Sequence, residues 1–193
     1  MIAAAFWSNL IDAWARTEDR FWEQGFVFVS LSLRAVGVAL LLGIPVGVLL
    51  TRVPRVSSPI IAVLALLQTL PSLALVGLLI PILGIGQPAA VFVAVIYSLF
   101  PIVLNTFVGI TQVSPAIRDA ARGMGMTPGQ MLWHVEMPLA LPVILAGVRT
   151  GTVYAIGIIT VCALVGAGGL GDFIVTGMTR GDAGLVLLGA LPI

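Results

Sequence analysis

The chain has 193 residues, of which 60% are hydrophobic and 9% are charged, and its mean hydropathy is +1.17. An ordinary soluble domain is about 45–50% apolar and about 25% charged, and a chain this short has too little interior to bury so much apolar surface. The composition therefore excludes a disordered protein, a nucleic-acid-binding protein and a typical soluble enzyme. It predicts a protein whose solvent is a lipid bilayer.

The few charged and metal-binding residues exclude several kinds of site. All nine basic residues are Arg, and a net charge of +1 leaves no broad basic surface for nucleic acid. The single cysteine, Cys162, and the single histidine, His134, exclude a disulfide framework and a metal site built from clustered Cys and His. Without Lys, no Gly-x-x-x-x-Gly-Lys-Ser/Thr phosphate loop can form. We expect no catalytic residue, metal or cofactor in this chain.

The first 24 residues differ from the rest, because charged side chains alternate there with aromatic ones. Trp7, Trp14 and Trp22 are spaced by seven and eight residues, which places them on one helical face. Indole rings favour the headgroup region of a membrane. The pattern predicts an interfacial amphipathic segment over residues 1–24 and a transmembrane domain over residues 25–193.

Apolar stretches dominate the transmembrane domain. Four of them, at about 26–50, 60–83, 89–110 and 139–165, reach the roughly 20 residues that a membrane-spanning helix needs. A further apolar stretch begins near Ala183 and is shorter, so we expect that helix to be incomplete. The sequence predicts an all-α, polytopic membrane helical bundle of about five spans.

Arginines mark the orientation. Arg52 and Arg55 follow the first apolar stretch, and Arg118 and Arg122 follow the third. Loops one and three lie on the same side of a membrane, and the positive-inside rule makes that side cytoplasmic. The N-terminus is then expected outside.

One long polar stretch, residues 114–137, interrupts the apolar pattern between the third and fourth spans. It contains Ser-Pro at 114–115 and Thr-Pro at 127–128, and each pair combines an N-cap residue with proline at the first helical position. Gln130 lies three residues after the threonine, which predicts a capping box.

The same stretch contains signals for helix ends. Gly125 suits the left-handed position that follows a helix C-terminus, and a second helix is expected to end before Pro138. Two short helices with a sharp bend are therefore predicted on the cytoplasmic side.

This polar stretch resembles the loop of ABC importer permeases. Residues 119–125 read Asp-Ala-Ala-Arg-Gly-Met-Gly and residues 135–138 read Val-Glu-Met-Pro, where the family's loop has a Glu-Ala-Ala start, a later glycine and Leu-Pro. Asp119 replaces the family's Glu, and Met137 replaces its Leu. The resemblance implies docking on a separate ATPase chain, which binds ATP and Mg. Two alanines would allow close docking and the charged residues would form ion pairs at the rim, so the coupling residues are expected to be Arg118, Asp119, Ala120, Ala121, Arg122, Gly125 and Pro138.

Further segments are similar to the permeases of glycine betaine, carnitine and choline (osmoprotectant) importers. These segments lie at residues 68–74, 97–102, 105–106, 146–150, 166–171 and 187–190. The resemblance covers roughly residues 26–193. It implies a permease subunit of the bacterial cytoplasmic (inner) membrane that works by alternating access. The implied partners are an ABC ATPase subunit, a second permease copy or paralogue, a periplasmic or lipid-anchored substrate-binding protein, the small-molecule solute and membrane lipid, with no nucleic acid.

Polar residues inside the second apolar stretch are candidates for the solute pathway. Gln68, Thr69 and Ser72 surround Pro71, which frees a helix carbonyl from its usual hydrogen bond. Broken helices with free polar groups are common in transport pathways. A simple kink with internal hydrogen bonds is the alternative.

Two further pathway candidates lie in the third and fourth apolar stretches. Asn105 is polar within the third, although it could instead bond to a neighbouring helix. Arg149 lies within the fourth, where insertion of an arginine at a helix centre costs about 2.5–3.5 kcal/mol. We assign Arg149 to the pathway or to a subunit interface, with snorkelling toward the membrane surface as the alternative.

A glycine cluster follows the fourth apolar stretch. Gly166, Gly168 and Gly171 match the letters of a dinucleotide-binding motif, but a membrane span precedes them and no acidic residue follows Asp182. The cluster, which also includes Gly169, is interpreted as an outer gate or bend that lines the pathway.

Two other hypotheses stay open. Permeases of methionine importers share the polar loop and the glycine cluster, so another small solute such as methionine is an alternative substrate. A stand-alone membrane channel or scaffold would keep the same spans, and its polar loop would bind no ATPase.

Overall fold

A computed structural model describes the backbone of residues 2–193 and the side chains of residues 10–193. Trp7, which belongs to the predicted interfacial segment, lies outside the described side chains. Within the described residues every regular element is helical, which confirms the predicted fold class. The α-helices are α1 (Ile2–Arg52), α2 (Pro54–Thr69), α3 (Ser72–Leu83), α4 (Gln87–Thr111), α5 (Pro115–Gly123), α6 (Pro128–Met131), α7 (Met137–Cys162), α8 (Gly171–Arg180) and α9 (Ala183–Ala190).

Three helical stretches of the described chain are long and apolar enough to cross a membrane, namely Leu10–Arg52, Gln87–Thr111 and Pro128–Val165. The pair α2 and α3 adds a fourth if both helices are counted as one broken span. The structure thus supports three or four spans by length and composition, where the sequence predicted about five. The difference lies in α9, because its eight residues extend only about 12 Å at 1.5 Å per residue, against a hydrocarbon core of about 30 Å.

The first helix is continuous from Ile2 to Arg52 and has 51 residues. It passes without a break through residue 24, the predicted boundary between the interfacial segment and the transmembrane domain. At 1.5 Å per residue such a helix is about 75 Å long, more than twice the thickness of a hydrocarbon core. The N-terminal segment is therefore an extension of the first apolar helix, and its location at the membrane surface stays a prediction.

The chain divides into two compact units. The first unit comprises residues 1–36, 70–95 and 154–193, and the second comprises residues 37–69 and 96–153. The polar loop lies entirely in the second unit, and the glycine cluster lies entirely in the first.

Close helix contacts in the second unit depend on glycine. A Cβ atom added at Gly47 would lie 2.6 Å from the Cβ of Thr106, and one added at Gly147 would lie 2.7 Å from the carbonyl oxygen of Pro101. Both distances are too short for a real side chain, so α4 approaches α1 and α7 at nearly backbone distance. Small residues at helix contacts are typical of membrane bundles, where dispersion forces between closely packed helices supply much of the attraction.

Candidate functional site

The polar loop folds as two short helices joined by a tight turn. The N–H of Gly125 donates to the carbonyl of Arg122 at 2.9 Å, and the N–H of Met126 donates to the carbonyl of Ala121 at 3.2 Å. This pair of hydrogen bonds is a Schellman motif at the end of α5. Gly125 has φ of +79°, a left-handed conformation that glycine adopts without steric cost. The predicted bend at Gly125 is confirmed.

The two predicted N-caps have different outcomes. Thr127 and Gln130 form the predicted capping box, with Gln130 Oε1 accepting from the Thr127 N–H at 2.9 Å and Thr127 Oγ1 accepting from the Gln130 N–H at 3.3 Å. The prediction of a serine cap on α5 is wrong, because the side chain of Ser114 makes no cap hydrogen bond. The N–H of Ile117, which such a cap would satisfy, donates to the Ser114 backbone carbonyl at 3.1 Å instead.

The helix that begins at Pro128 does not end before Pro138, so that prediction is also wrong. After α6 the chain makes a five-residue π-helical turn, Leu132–Glu136, and passes directly into α7. In a regular helix a proline clashes with the carbonyl four residues earlier. The N–H of Met137 donates to the carbonyl of Leu132, five residues back. This π-helical turn replaces the four-residue hydrogen-bond spacing of an α-helix just before the proline.

The exposed face of α5 differs in part from the predicted docking face. Asp119 and Arg122 are exposed and pair with each other, with 3.2 Å between Oδ1 and Nη1. Ala120 is exposed, whereas Ala121 is only 1% exposed. Only Ala120 therefore offers its methyl group to a partner in this conformation. The Ala-Ala pattern alone could not separate the two residues, because neighbours in a helix point about 100° apart.

Three apolar or small residues form an exposed stripe along α5 and its C-cap, which we name the α5 stripe: Ile117, Ala120 and the C-cap residue Met124. Their spacing of three and four residues places them on one helical face, and 43% of Ile117 and 70% of Met124 are exposed. Met124 also lines an open groove of about 350 Å³ together with Gln130 and His134. Ile117 and Met124 were not among the predicted coupling residues, although their helical spacing around Ala120 was a usable signal.

Arg118 faces the interior of the second unit instead of the rim of the loop. Its Nη2 donates to the backbone carbonyl of Ile110, and its Nε lies 3.2 Å from Oε1 of Glu136. The other carboxylate oxygen of Glu136 lies 2.5 Å from Nη2 of Arg52. Glu136 itself is 0% exposed. We call Arg52, Glu136 and Arg118 the Glu136 triad.

The roles of Glu136 and Arg52 were not predicted from the sequence. A usable signal was present, because Glu136 is the lone acidic residue at the start of an apolar stretch, and Arg52 ends another apolar stretch. A buried carboxylate requires partners, and arginines at the ends of neighbouring spans are the natural ones. Sequence could not show which arginines approach it.

The predicted break around Pro71 is confirmed, since α2 ends at Thr69 and α3 begins at Ser72. Gln68 donates from Nε2 to the carbonyl of Tyr97 at 2.7 Å, so its amide ties α2 to α4 within the second unit. Thr69 is exposed and donates from Oγ1 to the carbonyl of Leu66 at 2.7 Å. Pro71 and Ser72 belong to the first unit.

The two other pathway candidates have contrasting surroundings, both in the second unit. Asn105 is half-buried, donates from Nδ2 to the carbonyl of Pro101 at 2.8 Å and packs where Gly147 leaves space. Arg149 is exposed and lines an open groove of about 520 Å³ along α7 with Pro142, Leu145, Ala146, Thr150 and Val153. Among the side chains of residues 10–193, Arg149 makes no ion pair.

The glycine cluster forms the predicted bend in the backbone of the first unit. Gly166, Gly168 and Gly169 have φ values of +77°, +75° and +82°. A helix precedes them, and Gly171, the first residue of α8, leaves no room for a side chain, since an added Cβ would lie 2.2 Å from the carbonyl oxygen of Thr160. The cluster packs on α1 because the N–H of Gly169 donates to Oε1 of Gln24 at 2.7 Å.

Two ion pairs extend this contact between α1 and the C-terminal helices. Arg20 pairs with Asp172, and Arg16 lies 3.3 Å from Asp182. With Gln24 these arginines recur every four residues, so these three polar contacts lie on one face of α1. Arg20 also lies over the ring of Phe173, 5.6 Å from its centroid.

Apolar helices that are long enough to span a bilayer, and that pack closely through glycines, define a polytopic helical membrane protein. Residues 39–193 match the family of binding-protein-dependent transport system inner membrane components, and the chain belongs to this family. It is therefore the membrane component of a transport system. The family supports this interpretation over a stand-alone channel or scaffold.

Three relatives illustrate the similarity. The chain is 44% identical to the carnitine transport permease protein OpuCB of Listeria monocytogenes over 86% of this chain and 76% of the relative. It is 41% identical to the choline transport system permease protein OpuBB of Bacillus subtilis (strain 168), with the same coverage. It is 44% identical to the osmoprotectant import permease protein OsmW of Salmonella typhimurium over 87% of this chain and 80% of the relative. The resemblance to osmoprotectant permeases is confirmed.

A solved structure shares the fold. A chain from the MetNI methionine ABC transporter, crystallised in inward-facing conformations, superposes with a TM-score of 0.76 over 86% of this chain and 84% of that chain. Its sequence identity is 23%, so the likeness concerns the fold alone.

Proposed function

We propose that this chain is the permease subunit of an ATP-driven ABC importer for quaternary-amine osmoprotectants such as glycine betaine, carnitine or choline. Support comes from the family and from relatives named as carnitine, choline and osmoprotectant permeases. The chain forms the translocation pathway by alternating access. ATP and Mg act on the partner ATPase, and this chain supplies no catalytic group.

The observation that carries the coupling proposal is the α5 stripe. An exposed apolar stripe on a helix is costly in water and favourable against a partner's groove. Asp119 and Arg122 are exposed on another face of α5, where they pair with each other and can meet charges on the walls of a partner's groove. The Schellman turn at Gly125 and the capping box fix the shape of the loop, so that the stripe is presented rigidly. We assign the docking of the ATPase to this surface, with the loop on the cytoplasmic side and the N-terminus outside.

Two further partners complete the transporter. Three or four spans in the described chain are too few to enclose a solute pathway, so a second permease copy or a paralogue joins it, most simply with two-fold symmetry. A periplasmic or lipid-anchored binding protein delivers the solute. The exposed groove along α7 with Arg149, and the broken helix at Gln68, Thr69, Pro71 and Ser72, are the proposed pathway elements. The bend at the glycine cluster is the proposed outer gate.

The experiment that tests the coupling proposal is co-purification in detergent with the ABC ATPase of the same gene cluster. We expect the tagged ATPase to capture the wild-type chain. Met124→Glu should lose capture, because a carboxylate would be buried at the interface. Met178→Glu is the matched control, since Met178 is 72% exposed, nearly as much as Met124, and lies on α8. Equal capture of both variants would contradict docking through the α5 stripe.

The substrate is tested in proteoliposomes that contain the same complex and its binding protein. ATP-dependent uptake of labelled betaine, carnitine or choline is expected, and excess methionine should not compete. Competition by methionine, with no uptake of the quaternary amines, would favour the alternative substrate class.

A further inference from the structure

The Glu136 triad joins the ends of three helices in the second unit. Arg52 is the last residue of α1, and Arg118 lies in α5 and reaches the carbonyl of Ile110 in the last turn of α4. Glu136 lies between the two arginines at the start of the long helical stretch that continues as α7. Through its two arginine partners, the Glu136 carboxylate therefore connects α5, the proposed docking helix, with the end of α1 and with the start of the stretch that continues as α7.

Stability alone does not account for this arrangement. Removing a carboxylate from water is unfavourable, and apolar residues of similar volume usually stabilise a fold as well as a buried ion pair does or better. The arginines do contribute some local stability, because a positive charge at the C-terminus of a helix interacts favourably with the helix dipole. An uncharged hydrogen-bonding residue at position 136 would avoid the burial of a charge altogether.

The local backbone at Glu136 is unusual as well. Glu136 is the last residue of the π-helical turn Leu132–Glu136, and short π-turns within helices are frequent at functional sites. Oε1 of Glu136 lies 3.2 Å from Nε of Arg118 but without hydrogen-bond geometry. The carboxylate thus forms a hydrogen bond with Arg52, whereas only the attraction of opposite charges holds it to Arg118. Because that attraction depends little on angle, Arg118 and α5 can shift relative to Glu136 and still be attracted to it.

We propose that Glu136 is a positioning residue that transmits movement of α5 to the end of α1 and to its own helical stretch, which continues as α7, during the transport cycle. Arg118 carries the movement from the docking helix, and Arg52 passes it to α1. This inference rests on the proposed function, because it requires an ATPase that moves α5. It concerns residues outside the docking surface, so binding of the ATPase and transmission of its movement are separable.

The test uses the reconstituted complex of permease, ATPase and binding protein. Glu136→Gln removes the charge and keeps the shape of the side chain. We expect unchanged capture by the ATPase and nearly unchanged ATP hydrolysis, with uptake reduced about tenfold, so that the ATP hydrolysed per solute rises by the same factor. Arg55→Gln is the matched control, because it removes one exposed arginine three residues from Arg52 and should leave the ratio unchanged.

A second variant keeps the proposal testable if Glu136→Gln does not assemble. The side chain of Arg52 is 39% exposed, so Arg52→Gln disturbs packing less and should raise the same ratio, while Arg52→Lys should restore it. A normal ratio in Glu136→Gln or in Arg52→Gln would overturn the proposal, and so would parallel losses of capture, hydrolysis and uptake, which indicate a structural role alone. Failure of the proposed function is recognised separately, because the wild-type chain would then neither be captured nor transport solute.

Discussion

The backbone N–H of Gly169 donates to the side-chain Oε1 of Gln24 at 2.7 Å, across 145 positions of the chain. This bond attaches the glycine cluster to the N-terminal half of α1, inside the first unit. This amide side chain therefore attaches the proposed outer gate to α1, and the ion pair of Arg20 with Asp172 adds a contact next to Gly171. Gly169 is buried, so its N–H has little access to water when that amide is removed.

We predict that Gln24→Leu destabilises the protein by about 1–3 kcal/mol, the usual effect of leaving a buried donor without its acceptor. The measurement is thermal unfolding of the chain in detergent. Glu23→Leu is the control, because Glu23 is exposed and adjacent, and it should shift the midpoint much less. Equal shifts in the two variants would show that the bond to Gly169 does not hold the cluster in place.

A second prediction separates two neighbouring glycines in the polar loop. Neither Gly125 nor Gly123 has any atom within 4 Å of an added Cβ, but only Gly125 has a positive φ. Gly125→Ala should therefore destabilise the bend by about 1–2 kcal/mol, which is the steric cost of a left-handed conformation for an L-residue. Gly123→Ala should be neutral or slightly stabilising, since alanine favours helix.

The readout for these glycine variants is the affinity of the chain for the ATPase, with thermal unfolding measured in parallel. We expect Gly125→Ala to weaken binding because the α5 stripe is no longer held in one orientation. If Gly123→Ala weakened binding as much, crowding at the interface, and not backbone conformation, would be the cause.

Much of the fold follows from local signals in the sequence. Apolar stretches at residues 89–110 and 139–165 predicted α4 and α7 to within a few residues, and Pro71 predicted the break between α2 and α3. The capping box and the bend at Gly125 could also be predicted, because each depends only on residues a few positions apart in the sequence. The Thr-Pro pair marks the start of a helix, and a glycine that follows a helix marks its end.

What could not be predicted depends on contacts between distant residues. The burial of Ala121, the inward direction of Arg118 and the pairing of Arg52 with Glu136 each arise from helices that are far apart in sequence. The passage of the helix through Pro138 depends on a π-turn, for which no single residue is a signal. The length of α1 was missed because its charged N-terminal turns and its apolar turns have different compositions but the same helical conformation.

A third prediction distinguishes the two adjacent alanines of α5. Ala121 is buried, so Ala121→Leu should overpack the second unit and destabilise it by about 1–3 kcal/mol. Ala120 is exposed in the α5 stripe, so Ala120→Leu should leave thermal unfolding unchanged and alter capture by the ATPase. The reverse pattern would mean that Ala121, and not Ala120, contacts the partner.

A fourth prediction concerns the groove of Arg149. Glycine betaine and carnitine carry a carboxylate beside their quaternary ammonium group, whereas choline carries only the positive charge. A guanidinium in the pathway attracts the carboxylate and repels the cation, and these effects are strong where water is scarce. Arg149→Gln should therefore lower the uptake of betaine relative to choline, by about tenfold if one charge-assisted hydrogen bond is lost.

The measurement for Arg149 is the uptake of each labelled solute in separate proteoliposome assays, with the binding protein saturated in each so that delivery does not set the ratio of the two rates. Arg34→Gln is the matched control, because Arg34 is also an exposed arginine within an apolar stretch. It should leave the ratio unchanged. A ratio that stays at the wild-type value in Arg149→Gln would remove Arg149 from the pathway and favour the alternative in which its side chain reaches the membrane surface.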